Sequence, residues 1–221
     1  MLYSHKITIE NSHNMKVIGI NGSPHKEGNT YFALKTIADT LSAEGIEMEI
    51  IHIGNQIIRG CLGCGACARN KNEKCITDDA VNQLIPVLKE ADGVVLGSPV
   101  YYANIAGTMK CFCDRLFYVA SANGALLRGK VGAGIVAARR GGASAAFAEL
   151  NYFLHLGQMI MPGSSYWNSV HGAKPLEAEG DAEGIQTMQN LARNIAWLLR
   201  LKASGEAMPQ FDTSARTNFI R

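Results

Sequence analysis

The hydrophobic positions of the chain follow two patterns that alternate along its length. Short apolar runs are typical of buried strands, and apolar residues spaced three and four apart are typical of amphipathic helices. The apolar runs predict five strands, within residues 17–20, 46–50, 93–97, 131–138 and 158–161. The helical spacing predicts five helices, within residues 34–41, 77–88, 109–119, 144–156 and 188–199. We expect the second helix to begin at Thr77 as its N-cap and to bend at Pro86.

The alternation of strands and helices predicts the fold class. A strand–helix–strand order gives parallel strands joined by right-handed crossovers. The sequence therefore predicts a three-layer α/β fold, with a five-stranded parallel sheet and helices on both faces. We expect residues 16–205 to form one such domain, with an N-terminal arm of residues 1–15 and a C-terminal tail of residues 206–221. A chain of 221 residues, 47% of them hydrophobic, is long enough to bury that core.

The chemically unusual loops of the chain all follow predicted strands. In an open parallel sheet, ligands bind at the carboxyl ends of the strands, where such loops lie together. We therefore expect one shared site at this edge of the sheet. The loops concerned are residues 21–30, 61–67, 98–104, 139–142 and 164–168.

The loop after the first strand, residues 21–30, reads Asn-Gly-Ser-Pro-His-Lys-Glu-Gly-Asn-Thr. Hydroxyl groups and the first N–H groups of a helix meet there, and the helix dipole favours an anion. The loop lacks the Gly-Lys-Ser/Thr ending of nucleoside triphosphate sites and the Gly-x-Gly-x-x-Gly of dinucleotide sites. It therefore predicts a site for one compact phosphate, such as that of a mononucleotide cofactor.

Three motifs together resemble the NADPH-dependent FMN reductase family, a branch of the flavodoxin-like fold. They are Gly22-Ser23-Pro24 with Gly28-Asn29-Thr30, then Gly97-Ser98-Pro99-Val100-Tyr101, and then Lys110 with Asp114-Arg115. The resemblance covers the chain from Lys16 to about Leu201. It implies a flavodoxin-like fold and FMN as the bound cofactor.

The same resemblance implies where FMN lies. The phosphate would contact Ser23, Asn29 and Thr30, with Pro24 and Gly28 in the same loop. The expected contacts of the isoalloxazine ring are Pro99, Val100, Tyr101, Tyr102 and Asn104 on one rim, and Ala138, Arg139, Gly141 and Gly142 on the other. No catalytic side chain is predicted, because a flavoprotein acts mainly by orienting and tuning the ring.

Four cysteines, Cys61, Cys64, Cys67 and Cys75, lie on one glycine-rich loop with the spacing C-x2-C-x2-C-x7-C. Thiolates at this spacing can surround one compact soft-metal centre. The motif resembles that of the iron–sulfur flavoproteins, a subgroup of the same family, and so implies a [4Fe–4S] cluster. Two alternatives stay open: zinc held by four sulfurs, and a loop without metal, as in FMN-only members of the family.

Charge and hydropathy argue against other classes of partner. The net charge is +2 with scattered basic residues, so nothing indicates nucleic acid binding. No apolar run reaches the roughly 20 residues of a membrane span. Residues 1–14 lack the apolar centre of a signal peptide, and we therefore expect a cytoplasmic protein.

The resemblance implies an oxidoreductase in which NAD(P)H, as co-substrate, reduces FMN. Electrons would then pass to an unidentified small-molecule or small-protein acceptor, through the cluster if one is bound. Two alternatives stay open: a non-enzymatic flavin and iron–sulfur carrier between partner proteins, and an FMN-only quinone reductase. The family also implies a homodimer or homotetramer.

Overall fold

The computed structural model describes residues 15–211 and Thr217. This part of the chain forms six strands and six α-helices, with one short 3-10 helix at Glu177–Gly180. The strands are β1 (Lys16–Asn21), β2 (Glu47–His52), β3 (Gly93–Tyr101), β4 (Asn104–Ile105), β5 (Val131–Ala138) and β6 (Ser169–His171). The helices are α1 (Asn29–Ala43), α2 (Ala66–Asn70), α3 (Ala80–Glu90), α4 (Gly107–Ala122), α5 (Ala143–Leu156) and α6 (Ala182–Ala203). The predicted arm lies outside the described residues except for Met15, and the predicted tail is described only to Phe211 and at Thr217.

The sheet has the strand order β2-β1-β3-β5-β6, and all neighbours on this path are parallel. Apart from the short β4, this is the doubly wound order of a flavodoxin-like fold, in which the order reverses next to β1. β4 pairs antiparallel with the end of β3 and closes a hairpin at Tyr102 and Ala103. Both turn residues have positive φ, 50° and 59°, as a two-residue hairpin turn requires. The predicted fold class is confirmed.

Apolar side chains pack on both faces of the sheet. One face is covered by α1 and α6, through side chains such as Leu34 and Leu191. The other face is covered by α3, α4 and α5, through side chains such as Leu88, Phe112 and Leu150. Residues on β1, β3 and β5 are therefore buried on both faces, which explains their nearly continuous apolar runs. None of the helices described has the length and apolar character that crossing a membrane requires.

The predicted fifth strand at residues 158–161 is wrong. That segment makes one isolated bridge, from Ile160 to Val131 at the start of β5. The chain then leaves the sheet and returns as β6, which pairs with Val136–Ala138 at the carboxyl end of β5. Because β6 has three residues, it carries no repeat that a sequence pattern could detect. The loop that follows β6 therefore lies at the carboxyl edge of the sheet. The sequence analysis expected the loop of residues 164–168 at this position instead.

The start of the second predicted helix also needs correction. The N-cap of α3 is Asp79, whose carboxylate Oδ1 accepts a hydrogen bond from the Val81 N–H at 3.0 Å. Thr77 does not cap the helix, because it lies two residues before that N-cap; its carbonyl group accepts a hydrogen bond from Arg115 at 2.6 Å. The helix continues as one element through Pro86 to Glu90. The hydrogen bond from Arg115 to Thr77 therefore attaches the segment after the cysteine loop to α4.

Candidate functional site

A cleft of about 270 Å³ lies at the carboxyl ends of β1, β3 and β5. It is bounded by the loop after β1, the end of β3, the end of β5 and the loop after β6. Its lining residues are Ser23, His25, Gly28, Asn29, Thr30, Pro99, Val100, Tyr101, Ala137, Arg139, Gly172, Ala173, Lys174 and Pro175. The cleft thus lies at the edge of the sheet where the sequence predicts a ligand.

One end of the cleft is formed by hydroxyl groups and a helix N-terminus. Thr30 is buried, and among the described residues its Oγ1 has no hydrogen-bond partner. Ser23 is also buried, and its Oγ accepts a hydrogen bond from the His25 N–H at 3.1 Å, so its own proton remains available. The first intrahelical hydrogen bond of α1 runs from the Phe32 N–H to the Gly28 carbonyl group. The N–H groups before Phe32 therefore lack helical partners, and this end of the cleft suits an anion.

The loop that carries Ser23 is fixed by hydrogen bonds and packing with neighbouring residues. The Ser23 N–H donates to Asn21 Oδ1 at 3.0 Å, and Asn21 Nδ2 donates to the Lys26 carbonyl group at 3.0 Å. His52, at the end of β2, has its Nε2 at 2.7 Å from the Ser23 carbonyl oxygen, to which it donates. Gly54 follows β2 and lies against the same carbonyl group. The position of Ser23 is thus fixed by its neighbours and needs no ligand.

Asn29 connects the start of α1 to the loop after β6. Its Nδ2 donates to the carbonyl groups of Gly172 and Lys174, at 3.0 and 2.9 Å. Its Oδ1 accepts from the Ala178 N–H at 3.1 Å. The Asn29 side chain is therefore engaged with this loop, and what it offers an anion is its main-chain N–H group.

The other part of the cleft has an apolar wall at the end of β3. Pro99 and Val100 are half-buried and Tyr101 is exposed at the rim. Ser98 fixes this segment, because its Oγ accepts from the Ala106 N–H and donates to the Pro99 carbonyl group, both at 2.9 Å. A flat ring could lie against this wall while its phosphate reached the hydroxyl end.

The predicted flavin residues do not all reach the cleft. Those that line it are Ser23, Gly28, Asn29, Thr30, Pro99, Val100, Tyr101 and Arg139. Those that do not line it are Pro24, Tyr102, Asn104, Ala138, Gly141 and Gly142. Tyr102 is fully exposed at the hairpin turn, whereas Ala138 is buried in β5. Gly142 lies under the hairpin with φ of +88°, where an added Cβ would come 2.8 Å from the Ala103 Cα.

The sequence analysis missed the loop 172–175, which supplies Gly172, Ala173, Lys174 and Pro175 to the cleft. Lys174 lines the cleft, and its carbonyl group contacts Asn29 at the start of α1. The Glu177 carboxylate accepts from the N–H groups of Ala173 and Lys174 at 2.6 and 2.8 Å, and these bonds lower the pKa of Glu177. Correct placement of β6 would have pointed to this loop, since it follows a strand end like the others.

The four predicted metal ligands come together in a second, smaller cavity. Cys61, Cys64, Cys67 and Cys75 all line it. Gly63 and Gly65 have φ of +61° and +64°, so the chain curls between the cysteines in a conformation that favours glycine. The Gly63 N–H donates to Cys61 Sγ at 3.5 Å. Across the part of the chain described, no three His, Cys, Asp or Glu side chains form a group that could hold a single metal ion.

The cysteines of this loop differ in exposure. Cys61 and Cys64 are exposed, Cys75 is half-buried and Cys67 is buried. Burial raises the pKa of the Cys67 thiol, and the nearby thiols of Cys75 and Cys61 raise it further. The remaining cysteines, Cys111 and Cys113, lie on α4 outside this cavity.

Comparison with known proteins identifies the class to which this fold and cleft belong. The sequence model of the NADPH-dependent FMN reductase family matches residues 15–174. The chain therefore belongs to the NADPH-dependent FMN reductase family, which confirms the resemblance noted in its motifs. Membership makes flavin-dependent oxidoreduction the activity of the class, and FMN its cofactor.

Individual relatives narrow the assignment to a subgroup. The chain is 34% identical to an iron–sulfur flavoprotein of Methanocaldococcus jannaschii over 194 residues, covering 85% of this chain and 98% of the relative. It is 37% identical to an iron–sulfur flavoprotein of Archaeoglobus fulgidus over 172 residues, covering 76% of this chain and 83% of that one. Among solved structures, RosB with bound 8-demethyl-8-formylriboflavin-5'-phosphate matches with a TM-score of 0.69 and 16% identity, covering 94% of both chains. That structural likeness supports the fold alone.

Proposed function

We propose that the chain is an FMN-dependent oxidoreductase in which NAD(P)H reduces FMN bound in the cleft, and that the cysteine loop holds a [4Fe–4S] cluster through which electrons leave. The observation that carries the flavin part is the buried Thr30 Oγ1, which lines the cleft without a partner among the described residues. An unsatisfied buried hydroxyl group costs about 1–3 kcal/mol. A phosphate oxygen at the N-terminus of α1 would accept its hydrogen bond and remove that cost.

Different residues of the cleft bind different parts of FMN. Ser23, Thr30 and the first N–H groups of α1 bind the phosphate, and Lys174 supplies a positive charge beside it. Pro99 and Val100 exclude water from one side of the ring, with Tyr101 at the rim. When bound, FMN supplies both two-electron and one-electron redox chemistry. The side chains of this chain bind and orient the cofactor, and none of them needs to act as a general acid or base.

Anaerobic mixing of the FMN-loaded protein with NADPH, and separately with NADH, tests the donor. We expect the flavin absorbance to bleach with at least one reduced nicotinamide and to stay unchanged with the matching oxidised nicotinamide, which is the control. Dithionite in a parallel sample shows that the bound flavin can be reduced. Bleaching by dithionite alone would contradict NAD(P)H dependence.

One observation favours the carrier as a second candidate. The tip of the cysteine loop is exposed, and Leu62, between two of the cysteines, has half of its side chain in solvent, at 51%. A redox centre there could be approached by another protein. Bleaching by dithionite without bleaching by either nicotinamide would favour this carrier function.

The cysteine loop fits an iron–sulfur cluster by its chemistry. Four thiols around one cavity are the ligand set of a [4Fe–4S] cluster. The glycines let the loop curl around such a centre, and the Gly63 N–H already donates to a ligand sulfur. When bound, a cluster would supply one-electron transfer.

Substitution of one ligand tests the cluster directly. Cys64→Ser should remove most of the iron and acid-labile sulfide from anaerobically purified protein, because a serine hydroxyl is a much harder ligand than a thiolate. Iron and sulfide analysis, with the visible spectrum, measures this. The matched control is Cys111→Ser on α4, which should retain both. Equal iron in the two variants would contradict the assignment of Cys64 as a ligand.

A further inference from the structure

Among the described residues, Arg115 is the largest buried side chain, with 1% of its surface exposed. It lies on α4 and lines the cavity of the four cysteines. A buried guanidinium is costly unless it is paired and its N–H groups are hydrogen-bonded. The hydrogen-bond partners of the Arg115 guanidinium therefore indicate its role.

Arg115 fastens both ends of the cysteine loop. Its Nη1 donates to the Arg59 carbonyl group at 3.2 Å, just before Cys61, and to the Asp79 carboxylate. Its Nη2 donates to the Thr77 carbonyl group at 2.6 Å, just after Cys75. One planar group thus fixes the entry and the exit of the loop against α4 and the N-cap of α3.

The remaining bond of Arg115 goes to a cysteine. Its Nε–H donates to Cys75 Sγ at 3.3 Å. Cys75 is also held by its main chain, since its N–H donates to Asn82 Oδ1 at 2.8 Å and its carbonyl group accepts from Asn82 Nδ2 at 3.0 Å. These contacts therefore orient the sulfur of Cys75, the last cysteine of the motif, independently of a metal.

We propose that Arg115 is a positioning residue for the cluster: it holds Cys75 in the ligand set, and its N–H···S bond and charge raise the reduction potential of the cluster. This inference rests on the proposed function, because it requires a cluster on the cysteine loop. Adding one electron places more negative charge on the cluster and its sulfurs. A donated hydrogen bond and a buried positive charge both stabilise that form more than the oxidised one, which raises the potential.

Lysine cannot replace arginine in this role. The guanidinium makes hydrogen bonds in several directions within one plane, whereas an ammonium group is a compact point charge on a flexible stem. Arg115→Lys keeps the positive charge but loses the Nε–H that reaches Cys75. Arg115→Gln loses both the bond and the charge. The two variants therefore separate the contribution of the bond from that of the charge.

The test is a redox titration of the cluster in anaerobically purified protein, followed by visible and electron paramagnetic resonance spectra. We expect a lower reduction potential for Arg115→Lys than for the wild type, and a lower one still for Arg115→Gln. The control is Lys110→Met, which removes a cation from the same helix. Among the described residues, the ammonium group of Lys110 pairs with Asp114 and Glu149 and lies over the Phe153 ring, and these partners are all outside the cysteine loop. Its variant should keep the wild-type potential.

Flavin retention in each variant shows that the domain has folded, since the cleft lies on other loops. The inference would be overturned if the clusters of Arg115→Lys and Arg115→Gln had the wild-type reduction potential, whatever the iron content of the two variants. A merely structural role of Arg115 would change how much cluster is bound and not its reduction potential. A wild type that binds flavin and is bleached by NADPH but carries no iron would overturn the cluster and this inference together, and leave the flavin function standing.

Discussion

The double substitution Ser23→Ala with Thr30→Val is expected to abolish retention of FMN during gel filtration. In the proposed site each hydroxyl group would donate one hydrogen bond to a charged phosphate, and such a bond contributes about 1.5–3 kcal/mol. The two losses together correspond to a dissociation constant raised roughly 100-fold to 10,000-fold. Val replaces Thr30 with little change of shape, and the Thr30 methyl group that lies against Gly97 is kept. The fold should therefore survive while the cofactor is lost.

A matched pair on the same helix controls for loss of hydroxyl groups in general. Thr36→Val with Ser42→Ala removes a threonine and a serine hydroxyl group from α1, away from the cleft. Thr36 Oγ1 donates only within the helix, to the Phe32 carbonyl group at 3.0 Å. Fluorescence titration of the apoprotein with FMN measures both pairs. Equal affinity in the two double variants would show that the phosphate lies elsewhere.

The meeting of Ser23, Gly28 and Thr30 in the cleft could be predicted because its signals are local. Ser23, Gly28 and Thr30 lie within one short loop between an apolar run and a helix, so sequence spacing alone placed them together. The loop 172–175 could not be placed in this way. It reaches the cleft through Asn29, whose partners lie 143 to 149 residues further along the chain. Contacts of such separation depend on the sheet order, and the error at β6 hid them.

The cysteine loop shows the same division between local and distant information. The spacing of the cysteines identified all four cysteines that line the small cavity. The role of Arg115 depends on side chains and carbonyl groups 36 to 56 residues away, so the motif gave no indication of it. A buried arginine is recognised only after the helices are packed. The sequence could therefore predict which four cysteines come together, but not the arginine that contacts Cys75.

Gly54→Ala should have the second large effect, although residue 54 does not line the cleft. A Cβ at this position would overlap the carbonyl group of Ser23 and come within 2.7 Å of the Pro24 nitrogen. Both obstacles are main-chain atoms, so they cannot move aside as a flexible side chain would. The loop must shift, and the hydrogen bond from His52 Nε2 to the Ser23 carbonyl oxygen would be strained or lost. Overpacking of this kind costs about 1–3 kcal/mol of folding stability.

The shift should also displace the Ser23 hydroxyl group from the phosphate, so FMN affinity should fall by roughly tenfold or more, the loss of about one hydrogen bond to a charged group. Thermal unfolding of the apoprotein and FMN titration measure the two effects separately. Gly163→Ala is the matched control, because an added Cβ there meets no atom within 4 Å. It should change neither quantity. Wild-type FMN affinity in Gly54→Ala would contradict this prediction. It would mean that the position of Ser23 does not determine phosphate binding, because the substitution displaces Ser23 and replaces none of the residues that line the cleft.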